Sequence, residues 1–205
     1  MQQPVDNTIK DLLNSKLSAI ESHLAADVLS YFGALVNGVD GWFRKIVEEL
    51  AADQQKKDKL VIILTTPGGS AETVERIVNV VRHFYRTVDF IVPDYAYSAG
   101  TIFCMSGDNI FMDYYSVLGP IDPQVQNREG KLVPALGYLD KIEDLIEKDR
   151  QKTLTNAEFA ILQSMDLAEL KSYEQAKSLT IDLLKQWLVK YKFSKWNTHR
   201  TDPDK

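Results

Sequence analysis

The sequence predicts an α/β fold with a mainly parallel sheet and a helical C-terminal portion. Short apolar runs alternate with amphipathic helical segments from residue 27 to residue 113. The runs lack a polar alternate, as in Leu60-Val61-Ile62-Ile63-Leu64, which is the pattern of a strand buried on both faces of a parallel sheet. From about residue 138 onward the pattern is helical. Strands and helices that alternate in this way build parallel strands joined by right-handed crossovers.

Residues 9–25 place Ile9, Leu12, Leu13, Leu17, Ile20 and Leu24 at helical spacing and predict an amphipathic helix. Residues 27–33 read as a strand. Trp42, Phe43, Ile46, Val47 and Leu50 recur at helical spacing behind Gly38, Asp40 and Gly41. The second strand, Leu60 to Leu64, runs into Thr65-Thr66-Pro67-Gly68-Gly69. Ser70 is the expected N-cap of the next helix, with Glu72 and Glu75 in early turns, where the helix dipole favours acid. Val74, Ile77, Val78, Val81 and Phe84 form its apolar stripe. Val88 to Val92 is a third strand, Asp94 to Tyr97 a short loop, Ser98 the start of a helix running through Met105, and Asn109 to Met112 a fourth strand.

Gly119, Pro120, Asp122, Pro123, Gly130 and Pro134 make residues 116–137 an irregular excursion with room for a hairpin. Helices are expected over 138–150, about 155–164 and about 166–192, the second opened by a Thr155/Glu158 capping box. Leu183, Leu184, Trp187, Leu188 and Tyr191 give the last helix an apolar face. These segments are read as one domain, with an N-terminal helix over 1–26, an α/β core over 27–137 and C-terminal helices over 138–205.

A chain of 205 residues with 44% hydrophobic and 26% charged residues has the composition of a globular protein. A net charge of −5 argues against a nucleic-acid partner, which wants a basic face. Cys104 is the one cysteine, so an intrachain disulfide and a cysteine-based zinc cluster are excluded, and its expected role is that of a small buried apolar group. His23, His83 and His199 are scattered, and no metal or other cofactor is expected. The first sixteen residues are polar, and no stretch approaches the roughly 18 apolar residues of a membrane span. A cytoplasmic location without membrane association is the expectation.

The chemistry concentrates at two strand ends. In α/β sheets, ligands bind beyond the carboxyl ends of the strands. Pro67-Gly68-Gly69-Ser70 ends one strand there, and Tyr97-Ser98-Ala99-Gly100-Thr101 follows another. Gly68 and Gly69 let the backbone bend so that N–H groups face outward, and the Ala99 N–H lies at a helix start, where it has no intrahelical acceptor. Gly69 and Ala99 are the expected oxyanion donors, with Gly68 permitting the turn, and one such donor contributes about 3–4 kcal/mol to a transition state. Ser98 stands where a nucleophile belongs, although serine is also a common N-cap, and Pro-Gly-Gly also serves as a plain turn.

The segments Thr65-Thr66-Pro67-Gly68-Gly69-Ser70 and Tyr97-Ser98-Ala99-Gly100-Thr101, with Leu118-Gly119-Pro120-Ile121-Asp122-Pro123-Gln124, resemble those of ClpP-class serine peptidases. The likeness is to the signal-peptide-peptidase-like branch and the serine dehydrogenase proteinases, and it covers roughly residues 27–145. It implies a ClpP/crotonase-like fold of repeated ββα units, Ser98 as nucleophile, and Gly68, Gly69 and Ala99 as the oxyanion hole. It also implies a homo-oligomer, trimer-based or dimeric, and a peptide or protein substrate paired as an extended strand beside the Pro-Gly-Gly loop. Relatives in the proteinase group tend to run longer, so the resemblance implies a shortened version here.

ClpP itself uses a Ser-His-Asp triad, but Gly119 to Gln124, where its histidine would stand, contains none. The signal-peptide-peptidase-like branch uses a Ser-Lys dyad, and Lys141 falls in the corresponding window. Lys131 and Lys148 are lesser candidates, and Asp122 is a possible auxiliary base or orienting group. A lysine at its ordinary pKa is neutral about once in a few thousand molecules at pH 7, so a lysine base needs burial or a neighbouring cation. The leading reading is a serine endopeptidase of the Ser-Lys type. Its alternatives are an inactive peptide-binding scaffold on the same fold and a crotonase-like acyl-CoA enzyme.

Overall fold

The structure is a computed structural model that describes residues 4–122, 124–126, 130–194 and 196. Helix α1 (Pro4–Leu24) is followed by β1 (Asp27–Phe32), α2 (Val39–Ala52), β2 (Lys59–Thr65), α3 (Ala71–Phe84) and β3 (Thr87–Val92). Then come β4 (Tyr95–Ala96), α4 (Ala99–Met105), β5 (Asn109–Met112) and β6 (Val117–Leu118). The hairpin strands β7 (Gln124–Gln126) and β8 (Leu132–Pro134) lead into α5 (Ala135–Arg150), α6 (Asn156–Ser164) and α7 (Leu167–Trp187), which continues as a π-helical turn over Leu188–Lys192.

The main sheet has the order β1-β2-β3-β5, with every neighbouring pair parallel. Each crossover moves the chain one place in the same direction, and right-handed crossovers of that kind put α2, α3 and α4 on one face. The core lies there. Leu60, Ile62, Leu64, Val88, Phe90 and Val92 point into it from the sheet, against Phe43 and Val47 of α2, Val74, Ile77 and Val81 of α3, and Phe103 of α4. The opposite face is covered by α1, whose Leu17, Ile20 and Leu24 pack on Val28, Val61, Ile63 and Ile91. Among the described residues no helix is long and apolar enough to cross a membrane.

A second, smaller layer of pairing follows each main strand. Leu35 bridges Gly69, Thr66 bridges Ala96, and β4 pairs with β6, all in parallel. Main strand, short paired step and helix together make the ββα unit. Within Asp94 to Tyr97, expected as a loop, Tyr95 and Ala96 form β4, since a two-residue strand has no periodicity to detect. The irregular excursion does hold a hairpin, with Val125 opposite Val133.

The C-terminal helices fall within a few residues of their expected spans, and the Thr155/Glu158 capping box is present. The α5 helix starts at Ala135, earlier than expected. It packs on α7 through Ala135, Leu139 and Tyr173, a cluster separate from the sheet core. Further along α7, Leu183 and Trp187 enter the main core, whereas Trp196 is exposed. Cys104 is fully buried in the core, and its thiol is pushed up to about 12 by that burial.

Tyr85, just past α3, donates its hydroxyl to the Asp27 carboxylate at 2.7 Å, and Asp27 also accepts the Lys57 N–H. Burial first, and the hydrogen bond to the Asp27 carboxylate second, push the Tyr85 phenol above its ordinary range. A phenol raised in the folded state adds stability that is complete below the unfolded value near pH ~10 and is lost as pH rises beyond it. Tyr85→Phe is expected to lower the unfolding free energy by about 1–3 kcal/mol in denaturant titrations at pH 7, and to flatten the fall in stability above pH ~10.

Candidate active site

The end of β2 and the turn into α4 are stitched together by main-chain bonds. Thr66 N–H donates to the Tyr95 carbonyl and Tyr97 N–H to the Thr66 carbonyl, both at 3.0 Å. This pairing brings Pro67-Gly68-Gly69 against Tyr97-Ser98-Ala99. Gly68 has φ +99°, and a methyl group there would lie 2.5 Å from the Tyr97 carbonyl oxygen, 2.9 Å from Ser98 Cβ and 3.3 Å from Ala99 N. The Gly68 N–H is itself occupied, donating to Thr66 Oγ1 at 3.0 Å. Gly68 therefore shapes the turn and has no N–H to spare.

Gly69 has φ +154°, and a Cβ there would come 2.2 Å from the Leu35 carbonyl oxygen. Leu35 N–H donates to the Gly68 carbonyl at 2.8 Å and Ser70 N–H to the Leu35 carbonyl at 2.9 Å. In a parallel pairing of this register, Gly69's own N–H and C=O point away from Leu35. Among the described residues the N–H groups of Gly69 and Ala99 have no hydrogen-bond partner. Ser70 caps α3 as expected, accepting the Thr73 N–H on its hydroxyl at 3.1 Å.

Ser98 occupies the N-cap position of α4 but does not cap it. Its backbone has φ 50° and ψ −118°, a conformation that costs a non-glycine residue about 1–3 kcal/mol and gathers at functional sites. Ser98 is 8% exposed, and its hydroxyl donates instead to the main-chain carbonyl of Asp122 at 2.9 Å. Close packing holds the turn in place. A Cβ on Gly100 would meet Thr66 Cγ2 at 2.3 Å, and one on Gly119 would meet the Tyr97 ring at 2.2 Å. Thr101 Oγ1 lies 2.8 Å from the Ala96 carbonyl and 3.0 Å from that of Gly119, which ties the segment carrying Asp122 to α4.

Asp122 meets the serine through its main chain. Its carboxylate accepts the Leu136 N–H in the first turn of α5 at 3.2 Å and makes no hydrogen bond to Ser98. Lys141 lies on the exposed side of α5, opposite the buried Leu139, Ile142 and Leu145, and makes no hydrogen bond to Ser98. Lys148 is engaged by Glu158 at 2.5 Å, and Lys131 is exposed. The Lys148 contact and the Thr155 bonds hold the Glu158 carboxyl down to about 2. His83 is exposed and stands edge-on to Phe84 at 4.7 Å, and His199 lies outside the described residues. Among the described residues no group of three His, Cys, Asp or Glu side chains suits a metal ion. Sequence reading missed Leu35, Thr66 and the Asp122 carbonyl, because each acts through a contact distant in sequence or through the main chain.

The model of the ClpP-like SDH-type serine proteinase family matches residues 45–201, which hold every residue of this turn apart from Leu35. The chain belongs to that family. Two uncharacterized proteins of Methanocaldococcus jannaschii are similar to this proteinase-family chain. One is 32% identical over 130 residues, 63% of this chain and 41% of its own length, and the other is 32% identical over 124 residues, 60% and 38%. The chain thus spans about two-fifths of the length of the curated relatives it matches. Among solved structures, the fold is similar to a lysine-to-alanine variant of the membrane-bound stomatin-specific protease 1510-N bound to a substrate peptide (24% identity, TM-score 0.45, 56% of this chain and 55% of that one). It is also similar to an asparagine-to-aspartate variant of ClpP1 from Listeria monocytogenes (15% identity, TM-score 0.42, 78% and 82%).

Gly68→Ala forces a methyl group into the Tyr97 carbonyl at a positive φ. It is expected to destabilise the protein by about 2–5 kcal/mol, read as a drop in the denaturation midpoint. A midpoint equal to that of the parent would mean that the two turns do not meet as described.

Proposed function

We propose that this chain carries the active site of a serine peptidase. Ser98 attacks a peptide carbonyl, the developing oxyanion is received by the N–H groups of Gly69 and Ala99, and the acyl-enzyme is then hydrolysed by water. One observation carries the reading: the serine and the two unoccupied N–H groups lie on two turns in direct backbone contact, with Ser98 held in a strained conformation that a helix cap does not need. The substrate would run as an extended strand past Gly69, whose N–H and C=O are directed away from Leu35.

The base in this reading is Lys141. It accepts the Ser98 proton and later returns it to the leaving amine. In the free chain it is solvent-exposed on α5, and the start of that helix is joined to the serine turn through Asp122. Lys141 lies five residues beyond Leu136, about 7.5 Å of helix rise. Bound peptide would close the gap and strip water from the ammonium group, the condition a lysine base requires.

A fluorophosphonate probe tests the assignment, since it labels only an activated serine. Labelling of the full chain at one site, abolished in Ser98→Ala, is expected. Labelling that persists in Ser98→Ala would place the nucleophile elsewhere. Lys141→Ala should slow peptide hydrolysis about a hundredfold or more with the fold retained by circular dichroism, and an unchanged rate would remove Lys141 from the mechanism.

A further inference from the structure

The residue that holds the Ser98 hydroxyl also holds the start of α5. The Asp122 carbonyl accepts the serine proton at 2.9 Å, and fourteen residues upstream of Leu136 its carboxylate accepts that residue's N–H at 3.2 Å. The N-cap position of α5 is Pro134, which offers no side-chain acceptor, so Asp122 takes that role from across the hairpin. The two bonds lie on opposite ends of one half-buried residue.

Each end has a consequence. An amide carbonyl accepts a hydrogen bond but takes up no proton at neutral pH. A hydroxyl donating to it is therefore held away from any base. On the other side, α5 rests on α7 through Ala135, Leu139 and Tyr173, a small cluster that takes in Val133 of β8 and stands apart from the core of the main sheet. The segment between, from Gly119 to Asp122, is bound to α4 by Thr101 and to β4 by the Gly119 N–H, so displacement at one end is carried to the other.

We propose that Asp122 is a positioning residue that couples the start of α5 to the reactivity of Ser98: with both bonds made the serine is held off, and displacement of α5 frees it. This rests on the reading of Ser98 as the nucleophile. Lys141 rides on the same helix, so the movement that frees the hydroxyl is one that also repositions the base. Linkage makes the coupling reciprocal: a change at Ser98 must be felt at Leu136, and a change at the Asp122 carboxylate must be felt at Ser98.

Both directions can be read on the full chain. Amide hydrogen exchange at Leu136 is expected to quicken about three- to tenfold in Ser98→Ala, the factor that one lost hydrogen bond corresponds to. Unchanged exchange there overturns the coupling, whether or not Ser98 is a nucleophile. In the other direction, Asp122→Ala should raise the rate of fluorophosphonate labelling about threefold or more, and Asp122→Asn, which keeps an oxygen for the Leu136 N–H, should bring both readouts back toward those of the parent. Slower or unaltered labelling in Asp122→Ala overturns the proposal. Leu136→Pro gives a second route if Asp122→Ala fails to fold: it removes the donor in a first helical turn where proline is tolerated, and labelling must rise as well. A parent chain that takes up no label would sink the nucleophile reading, and the exchange result in Ser98→Ala would still decide the coupling.

Discussion

Gly68 passes so close to the turn from Tyr97 to Ala99 that no side chain fits between them, and the rest of the site is arranged around that approach. The Thr66 main chain bonds to Tyr95 and Tyr97, which fixes the height of one turn against the other. Leu35 occupies the far side of the glycine pair, so Gly69 presents its polar groups on the remaining side. Ser98 then sits above the first turn of α4, with its hydroxyl carried away from the helix it precedes. Widening the gap by one methyl would separate the serine from the donors it is proposed to work with. The tolerance of the site is therefore set by backbone contact, which has fewer ways to relax than side-chain packing.

That contact depends in turn on the sheet. Sequential, one-directional winding places β2 and β3 side by side with their carboxyl ends level, so the segments leaving them meet. The hydrophobic term that drives this is large, since Leu60, Ile62, Leu64, Val88, Phe90 and Val92 are all buried under α2, α3 and α4. The strain at Ser98 is small beside it and is sustained by the surrounding packing. The C-terminal helices are held differently. The α5 helix rests on a small cluster of its own, while α7 joins the core through Leu183 and Trp187.

Much of this was legible in the sequence because it is local. Apolar runs of strand length, helical stripes such as Val74, Ile77, Val78 and Val81, the Ser70 cap and the Thr155/Glu158 box are each written within a dozen residues. The short steps of the second layer were not. Tyr95-Ala96 and Val117-Leu118 are strands only because each finds the other, and no period can be read from two residues. Asp122 is a residue whose part could not be read from its type: its carboxylate caps a helix, and its carbonyl meets the serine. A main-chain contact leaves no mark on residue type, so the sequence could name the residue without saying which of its atoms reaches the site.

By itself the sequence determined the α/β class, the order and bounds of nearly all the elements, the family motifs around Gly68, Gly69, Ser98 and Ala99, and the missing histidine after the serine. These follow from residue chemistry and from spacing along the chain. Only the tertiary structure decided that the two turns touch, that Leu35 and Thr66 fix them, that Ser98 donates to Asp122, and that Lys141 stands on an exposed face of α5. The reason is physical: a strand or helix is specified by the periodicity of its own side chains, whereas the meeting of distant backbones is specified by how the whole core packs.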